Sequence, residues 1–561
     1  MLNTIALLGF TAVATANAVP QRGGYGGWNG WAGQHGNPGQ GSSNDLLTDI
    51  DEISRYWGQI SSYQDNDEDY FGVDNRHANR FPTGSFDDGT NDQNFAAKLL
   101  NFTKASPNAG FKGPLAFLNT YQYIMGSSYL TGLGAATEFK AGVQFWNRYG
   151  RTLFNASTAQ LAYNATRPDG SARPKPVLRT TGQSRIYNSE INWALGFFGT
   201  TFQQTPDPKL TAFTSGSLFD VVVIPEGGTE NNTLASYDSC FADDLPYNGD
   251  IGDRDLISEY VPLYLKDATA RLQQYAPAGF TFNVNDTYAM QSICAYETGY
   301  IDSSDFCGLF TENEWAGFEN TLDIEYYYDY AWGAPTGRAQ GLGYLQELIA
   351  RLTNQYITSS NSSVNSTLDN NAAQFPLGRP FYADFTHDDI IISTLTAMSL
   401  DYFKDAPSLK DYPPNPDRHF ILSHLTPFGA RLITEVIGCN SASPDEVEEY
   451  RTQYYPGQYG YNAATATHKF IRQRLNNGIL PLSTIRGGKC EGRDDGLCPL
   501  SNFLDSQKNA ETLANYDFSC FANYTLKQPL ASVDYDGAVS KNSNTINVYP
   551  GQLTAEYIDS L

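Results

Sequence analysis

The stretch FYADFTHDDIIISTLTAMSL, residues 381–400, places a strand directly before a helix. Its first part, Phe381–Thr386, is short and rich in aromatic residues and predicts a strand. From His387 onward, the apolar side chains follow helical spacing. Because a strand that leads into a helix is the basic unit of α/β proteins, this stretch indicates the fold class.

Two other stretches support the same class. GSLFDVVVIPEG, residues 216–227, contains the β-branched run Val221–Ile224 and predicts a buried strand. GLGYLQELIARLTNQY, residues 341–356, predicts a helix whose apolar face is formed by Leu342, Leu345, Leu348, Ile349 and Leu352. Since strands alternate with helices and no internal repeat is visible, an α/β architecture is favoured over a sandwich or a bundle.

Length and charge restrict the possible functions. The chain has 561 residues, enough for one large catalytic unit or for two to three domains. Its formal net charge of −25 argues against nucleic acid and anionic membranes as partners.

The first residues predict export. Met1–Ala18 is a short apolar run that ends in Ala16-Asn17-Ala18, which suits cleavage of a signal peptide after Ala18. Residues 19–45 are rich in Gly, Asn and Gln and predict a low-complexity tail, which leaves residues 46–561 as the folded catalytic unit. No later stretch is long and apolar enough to span a bilayer. We therefore expect a secreted protein.

Acceptor sequons and cysteines agree with an oxidising, extracellular compartment. Eight N-x-[ST] triplets predict N-linked glycans, at Asn101, Asn155, Asn164, Asn231, Asn285, Asn361, Asn365 and Asn523. Seven cysteines allow three disulfides and leave one thiol unpaired, but their number does not say which.

His77 lies in the most informative setting of the histidines. It stands in the octet RHANRFPT, residues 76–83, with Arg76 before it and Arg80 three residues after it. Arginine donates planar, paired hydrogen bonds that suit phosphate oxygens, and two guanidinium groups disfavour protonation of the imidazole. The octet therefore predicts a neutral, nucleophilic histidine in a phosphate site; solvated arginines around a surface histidine are the alternative.

The acidic pair after the predicted strand offers a proton donor. Asp388 follows His387, and a carboxyl group next to a bound phosphate has a raised pKa. A protonated His387 would stabilise negative charge in the transition state. The alternative is an ordinary helix start, with Asp389 as the cap.

A third cluster lies in PVLRTTGQSRIYNSEINWALGFFG, residues 176–199. Arg179 follows predicted strand residues and is most simply interpreted as a surface charge. Arg185 precedes an amphipathic stretch, a position that suits closure of the phosphate cradle.

Taken together, these motifs resemble the histidine acid phosphatases, especially the fungal phytases and related acid phosphatases. The similarity rests on R-H-x-x-R-x-P-T at 76–83, R-T-x-G-x-x-R-I-x-x-S at 179–189 and F-x-H-D at 385–388. Further similar segments are DFCGLFT at 305–311, GLGY at 341–344 and RLN at 474–476. The likeness extends from about residue 70 to the end.

The resemblance implies a fold and roles for particular residues. It implies a large α/β domain with a smaller, mainly helical cap domain and the active site between them; the internal boundaries stay open. His77 is implied as the nucleophile and Asp388 as the proton donor. Arg76, Arg80, Arg185 and His387 are implied to bind the substrate phosphate. Neither a metal nor an organic cofactor is implied.

Two departures from the family pattern concern activity and disulfides. Ala78 stands where the family usually has glycine, and its methyl group is expected to crowd the phosphate. The family cysteine before the R-H motif is missing, and its partner resembles Cys439. The resemblance therefore implies the pairs Cys240–Cys520, Cys294–Cys307 and Cys490–Cys498, with Cys439 free.

The expected activity is hydrolysis of small phosphate monoesters through a phosphohistidine on His77. Phytases tend to follow the R-H motif with lysines, whereas residues 84–89 read GSFDDG here, so a broad acid phosphatase is favoured over a phytase. A catalytically impaired secreted glycoprotein and a phosphomutase are the remaining alternatives.

Overall fold

The structure is a computed structural model that describes residues 9–10, 45–63, 75–83, 89–154, 156, 160–167, 169–199, 218–228, 230–444, 466–527 and 536–554. The expected signal peptide and low-complexity tail lie outside the described residues, apart from Gly9–Phe10 and Asp45. The stretch GSFDDG lies outside them as well, apart from Gly89.

The strands form two sheets and a hairpin. Their bounds are β1 Gly9–Phe10, β2 Asn75–Arg76, β3 Val177–Thr181, β4 Asp220–Ile224, β5 Ala383–Thr386, β6 Leu432–Cys439, β7 His468–Leu475, β8 Gly478–Ile479, β9 Cys498–Pro499, β10 Ala522–Leu526 and β11 Ile546–Gln552. The first sheet is parallel, in the order β2-β5-β3-β4. The second has the order β1-β6-β7-β8 with β9 on β7, and β10 pairs with β11.

Helices precede, connect and follow these strands. Their bounds are α1 Ile50–Ile53, α2 Thr90–Ala105, α3 Gly132–Phe145, α4 Arg151–Phe154, α5 Ser184–Phe198, α6 Ile257–Gln273, α7 Val284–Ile301, α8 Glu312–Tyr330, α9 Gly337–Thr353, α10 Ser366–Asp369, α11 Asp388–Ala397, α12 Leu422–Leu425, α13 Leu500–Ser506, α14 Ala510–Ala514 and α15 Tyr516–Phe521. The predicted helices at 387–400 and 341–356 correspond to α11 and α9.

The predicted strands are present, with one correction. β5 lies in the middle of the parallel sheet and is buried throughout. β4 was expected to be buried, but Val221–Val223 are only half-buried. β4 is the last strand of the order β2-β5-β3-β4, so one side of it lacks a neighbouring strand.

Helices cover both faces of the parallel sheet. Leu178 and Phe385 contribute to a core with α3 and α5. These two helices approach so closely that a Cβ atom on Gly142 would lie 2.0 Å from the carbonyl oxygen of Trp193, which only glycine avoids. The next residue along β3 is Arg179, and it faces α9. The expected α/β class is confirmed.

Arg179 corrects an expectation, because it is buried rather than a surface charge. Its Nη2 atom donates to Glu347 at 2.7 Å, and its Nε atom lies 3.1 Å from the carboxylate of Asp384. Asp384 also pairs with Arg351 at 2.6 Å. This ion network ties β3 and β5 to α9, so its role is to hold the sheet beside the site.

A mainly helical part of the chain contains α2, α6, α7 and α8, which pack on one another around buried aromatic residues such as Trp315 and Phe318. α8 brings Tyr326 and Tyr330 to the cavity beside the parallel sheet. The large α/β layer and the helical part thus meet at the cavity.

All seven cysteines lie in the described part of the chain. The structure contains the three disulfides that the resemblance implies, Cys240–Cys520, Cys294–Cys307 and Cys490–Cys498. Cys439 forms no disulfide and is buried at the end of β6. Within the described ranges, no helix combines the length and the apolar character needed to cross a bilayer.

Candidate active site

The candidate site lies at the carboxyl ends of the parallel strands. His77 follows β2, and His387 and Asp388 follow β5. Arg185 is the second residue of α5, which begins shortly after β3. Ligands of open α/β sheets bind at this edge because the loops from successive parallel strands converge there.

His77 is held as a neutral ring with one free nitrogen. Its Nδ1 atom lies 3.0 Å from the carbonyl oxygen of Ala78, which accepts only if Nδ1 carries the proton. Its Nε2 atom then carries the lone pair and has no hydrogen-bond partner among the described residues. Burial, followed by the charges of Arg76, Arg185 and Arg80, holds the pKa of His77 well below its ordinary value.

A cavity of about 200 Å³ lies at the same edge of the sheet, and His77 itself is not among its lining residues. Its lining comprises Gln59, Arg80, Thr83, Arg185, Tyr237, Asp243, Asp244, Glu325, Tyr326, Tyr330, His387, Asp388 and Asp389. The rings of His77 and His387 face each other almost at right angles, with 5.9 Å between their centres. Three of the four expected phosphate ligands thus line one cavity next to the expected nucleophile.

Arg76, the fourth expected ligand, is engaged behind this lining. Its Nη1 atom donates to the carbonyl oxygens of Gln59 at 2.6 Å and Thr426 at 2.7 Å. Its Nη2 atom lies 2.6 Å from Asp388, and its guanidinium group covers the ring of Phe428. Arg76 is completely buried, and its expected contact with the substrate phosphate stays a prediction.

His387 is oriented by three neighbours. Its Nε2 atom lies 3.0 Å from Glu226 and 3.0 Å from the hydroxyl of Tyr237. Its Nδ1 atom lies 3.4 Å from Arg185, and a guanidinium group only donates, so this contact requires an unprotonated Nδ1. Burial by itself raises the pKa of Glu226. The interaction with His387 outweighs this effect, and the pKa falls to about 2. Glu226 therefore stays ionised and fixes the ring.

Asp388 is paired on one oxygen. Oδ2 accepts from the hydroxyl of Tyr326 at 2.5 Å and lies 2.6 Å from Arg76. Burial raises the pKa of Asp388, but Arg76 and Arg80 outweigh it, so the net shift is downward. The raised pKa expected for Asp388 beside a bound phosphate stays a prediction.

The structure corrects the alternative interpretation of Asp388 and Asp389, in which Asp389 caps the helix. The cap residue of α11 is His387, and Asp389 is the second residue of the helix. Its carboxyl group is buried and lines the cavity. Burial raises the pKa of Asp389, and Asp388 raises it further.

Ala78 does not occupy the cavity. It is completely buried, and it is absent from the lining residues. A Cβ atom placed on Gly429 would lie 3.7 Å from the Ala78 methyl group, so this methyl points towards Gly429. The effect of the Ala78 methyl group on a bound phosphate stays a prediction.

Sequence reasoning missed several residues of the site. Glu226 stands two residues beyond β4, and the rule that ligands bind beyond the carboxyl ends of parallel strands would have found it. Tyr237, Tyr326 and Asp243 lie far from the motifs in sequence and carry no local signal. Within the described ranges, no group of histidine, cysteine and acidic residues is arranged to hold a metal ion.

Comparison with known proteins places the chain in a family. Residues 75–455 match the model of the histidine phosphatase superfamily, branch 2. Phytase A of Aspergillus fumigatus is 30% identical over 74% of this chain and 81% of that protein. Phytase A of Aspergillus oryzae is 27% identical over 84% of this chain and 91% of that protein.

A solved structure supports the same fold. The phytase from D. castellii superposes with a TM-score of 0.60 at 21% identity, covering 86% of this chain and 92% of that one. The family match includes the octet with His77 and the strand–helix stretch with Asp388. The chain is therefore a phosphatase that belongs to branch 2 of the histidine phosphatase superfamily.

Proposed function

We propose that this chain is a secreted acid phosphatase that hydrolyses small phosphate monoesters through a phosphohistidine on His77. The observation that carries the proposal is the Nε2 atom of His77, which is unprotonated and has no partner among the described residues, beside a cavity lined by Arg80, Arg185 and His387. A lone pair next to a cationic phosphate site is what nucleophilic attack on phosphorus requires.

In the first half of the reaction, the residues of the cavity hold the phosphate. Arg80 and Arg185 donate to its oxygens, and His387 lines the cavity beside them. Glu226 acts as a positioning residue, because its contact with Nε2 keeps the ring in place. Nε2 of His77 attacks phosphorus, and the P–O bond to the alcohol breaks.

Asp388 supplies the proton to the departing alcohol in this proposal. A bound phosphate brings negative charge beside Asp388 and engages Arg80, and both effects raise the pKa of the carboxyl group. The protonated Asp388 then donates to the alkoxide. In the second half, the carboxylate removes a proton from the water that attacks phosphohistidine, and neutral His77 is regenerated.

Secretion is part of the proposal. Three disulfides are typical of an oxidising compartment. Of the proposed glycan acceptors, Asn365 and Asn523 are half-buried, Asn155 lies outside the described residues, and the exposed ones are Asn101, Asn164, Asn231, Asn285 and Asn361. Residues 46–561 are proposed to form the catalytic unit.

Phytase activity is the second candidate, because the curated relatives are phytases. Against it stand the carboxyl groups of Asp243, Asp244 and Glu325 on the cavity wall, which repel the additional phosphates of inositol hexakisphosphate. Phosphate release from p-nitrophenyl phosphate and from inositol hexakisphosphate, measured side by side at mildly acidic pH, distinguishes the two functions.

The nucleophile is tested with His77→Ala, and His468→Ala serves as the control because His468 is exposed on β7. We expect His77→Ala to lose turnover and His468→Ala to keep it, with both variants folded by circular dichroism. Rapid acid-free quenching of the wild type should trap phosphate on His77. Substantial turnover by a well-folded His77→Ala protein would rule out the mechanism.

A further inference from the structure

The cavity has an acidic wall in addition to its phosphate cradle. This acidic wall consists of Asp243, Asp244, Glu325 and Asp389, and the cradle consists of Arg80, Arg185 and His387. Burial and then the neighbouring carboxyl groups of Asp244 and Asp389 raise the pKa of Asp243. Asp243, Asp244 and Asp389 thus influence one another, and Glu325 lines the same cavity.

Asp389 supplies a second, independent observation. As a whole residue Asp389 is only 6% exposed, yet its Oδ1 atom has no hydrogen-bond partner among the described residues. A buried acceptor without a donor costs free energy, and native proteins usually provide one. Since Asp389 lines the cavity, the missing donor can come from a ligand bound there.

The chemistry of the wall indicates the kind of donor. One oxygen of Asp243 already accepts from Thr336 and Gln340, so its protein partners are neutral. A group that enters among several carboxyl groups is favoured if it carries positive charge and several donors. An ammonium group carries one charge and up to three N–H donors, and it fits a small cavity.

The position of Asp389 ties this wall to the departing alcohol. Asp389 follows Asp388, the proposed proton donor, and both line the same cavity. The alcohol that receives a proton from Asp388 therefore departs within a cavity that Asp389 also lines. We propose that Asp389 and the acidic wall bind a cationic group on the alcohol, so that the preferred substrates are phosphate monoesters of amino alcohols.

This inference rests on the proposed phosphatase function and adds the substrate class to it. A substrate of this kind carries an anionic phosphate and a cationic amine, which match the phosphate cradle and the acidic wall in charge. Neutral alcohols leave Oδ1 of Asp389 without a donor, and polyphosphorylated alcohols place negative charge against the wall. The cavity thus selects among small phosphate esters by the charge on their alcohol part.

The kinetic test compares two phosphate esters of equal length, 2-aminoethyl phosphate and propyl phosphate. We expect the wild type to have a kcat/KM at least about tenfold higher for the amine, the size of one charge-assisted hydrogen bond. Asp389→Asn should reduce this ratio towards one. Asp267→Asn removes the same charge from an exposed position on α6 and should leave the ratio unchanged.

A binding test separates this inference from the proposed function. The non-hydrolysable 2-aminoethylphosphonate and propylphosphonate are titrated calorimetrically into wild type, Asp389→Asn and Asp267→Asn. If no ester is hydrolysed but the amine still binds more tightly in an Asp389-dependent way, the proposed function fails and the cationic subsite stands. If both esters are hydrolysed with equal kcat/KM and both phosphonates bind equally, the subsite is wrong and the phosphatase stands. An equal loss of the preference in Asp267→Asn also overturns the subsite, because the effect is then one of net charge.

Discussion

The guanidinium group of Arg76 and the carboxylate of Asp388 lie 2.6 Å apart, both buried. Arg76 ends β2 and Asp388 begins α11, so this pair joins two segments more than 300 residues apart in sequence. The hydrogen bonds of Arg76 to Gln59 and Thr426 fix the pair further. The same contact that positions Asp388 also lowers the pKa of its carboxyl group.

The role of Asp388 is tested by leaving groups of different basicity. We expect Asp388→Asn to lower kcat for glycerol phosphate by about 10²–10⁴, the usual contribution of a general acid. With p-nitrophenyl phosphate the loss should be about tenfold or less, because nitrophenolate leaves with little protonation. Asp389→Asn is the control, and its effect should not depend on leaving-group basicity. Equal losses on both substrates for Asp388→Asn would show that the proton comes from elsewhere.

Ala78→Gly tests whether the methyl group impairs the site. Since this methyl points towards Gly429 and not into the cavity, we expect kcat/KM to change less than about twofold. Lost burial and added backbone freedom should lower the free energy of unfolding by about 1 kcal/mol. Steady-state kinetics and denaturant melts measure the two effects. A gain in kcat/KM of tenfold or more would mean that Ala78 does crowd the phosphate.

Glu138 provides a pH-dependent stability test. Glu138 is completely buried on α3, and neither of its carboxyl oxygens has a hydrogen-bond partner among the described residues. Burial raises the pKa of this carboxyl group to about 8, although the charge of Arg431 opposes the shift. The folded protein thus keeps a proton that the unfolded chain loses near pH 4.3. This group's contribution to stability is fully present below the unfolded pKa and is lost as the pH rises towards 8.

Glu138→Gln removes that titration without changing the shape of the side chain. We expect the difference in the free energy of unfolding between variant and wild type to grow in favour of the variant between pH 5 and pH 8, by on the order of 3 kcal/mol. Denaturant unfolding at both pH values with disulfides intact measures it. The exposed Glu259→Gln variant, on α6, should show no such trend. A pH-independent difference for Glu138→Gln would mean that the carboxyl group is ionised in the fold.

Cys439 is expected to be the one cysteine that an alkylating reagent labels when the unreduced protein is denatured. In the native protein it is buried and burial raises the pKa of its thiol, so alkylation should be slow. After denaturation without reduction, peptide mapping should find the label on Cys439 alone. Label on any of the six paired cysteines in the unreduced protein would contradict the disulfide assignment.

The sequence by itself determined the fold class and the residues of the motifs. The strand and the helix in residues 381–400 could be predicted because strand and helix periodicities are local properties of a sequence. His77, Arg80, Arg185, His387 and Asp388 were found because they sit in short motifs that resemble a known family. Each of these inferences depended on neighbours along the chain.

Only the tertiary structure decided what surrounds these residues. Glu226 contacts His387 across 161 residues of sequence, and Tyr326 contacts Asp388 across 62 residues. No local sequence pattern predicts either contact. Arg179 was interpreted from the sequence as a surface charge, but in the structure it belongs to a buried ion network. The reason is that β3 lies between two other strands and is covered by α9. The direction of the Asp388 pKa shift, the orientation of the Ala78 methyl and the acidic wall with Asp389 were likewise set by packing. Burial and charge act through space, and only the folded chain fixes which groups they join.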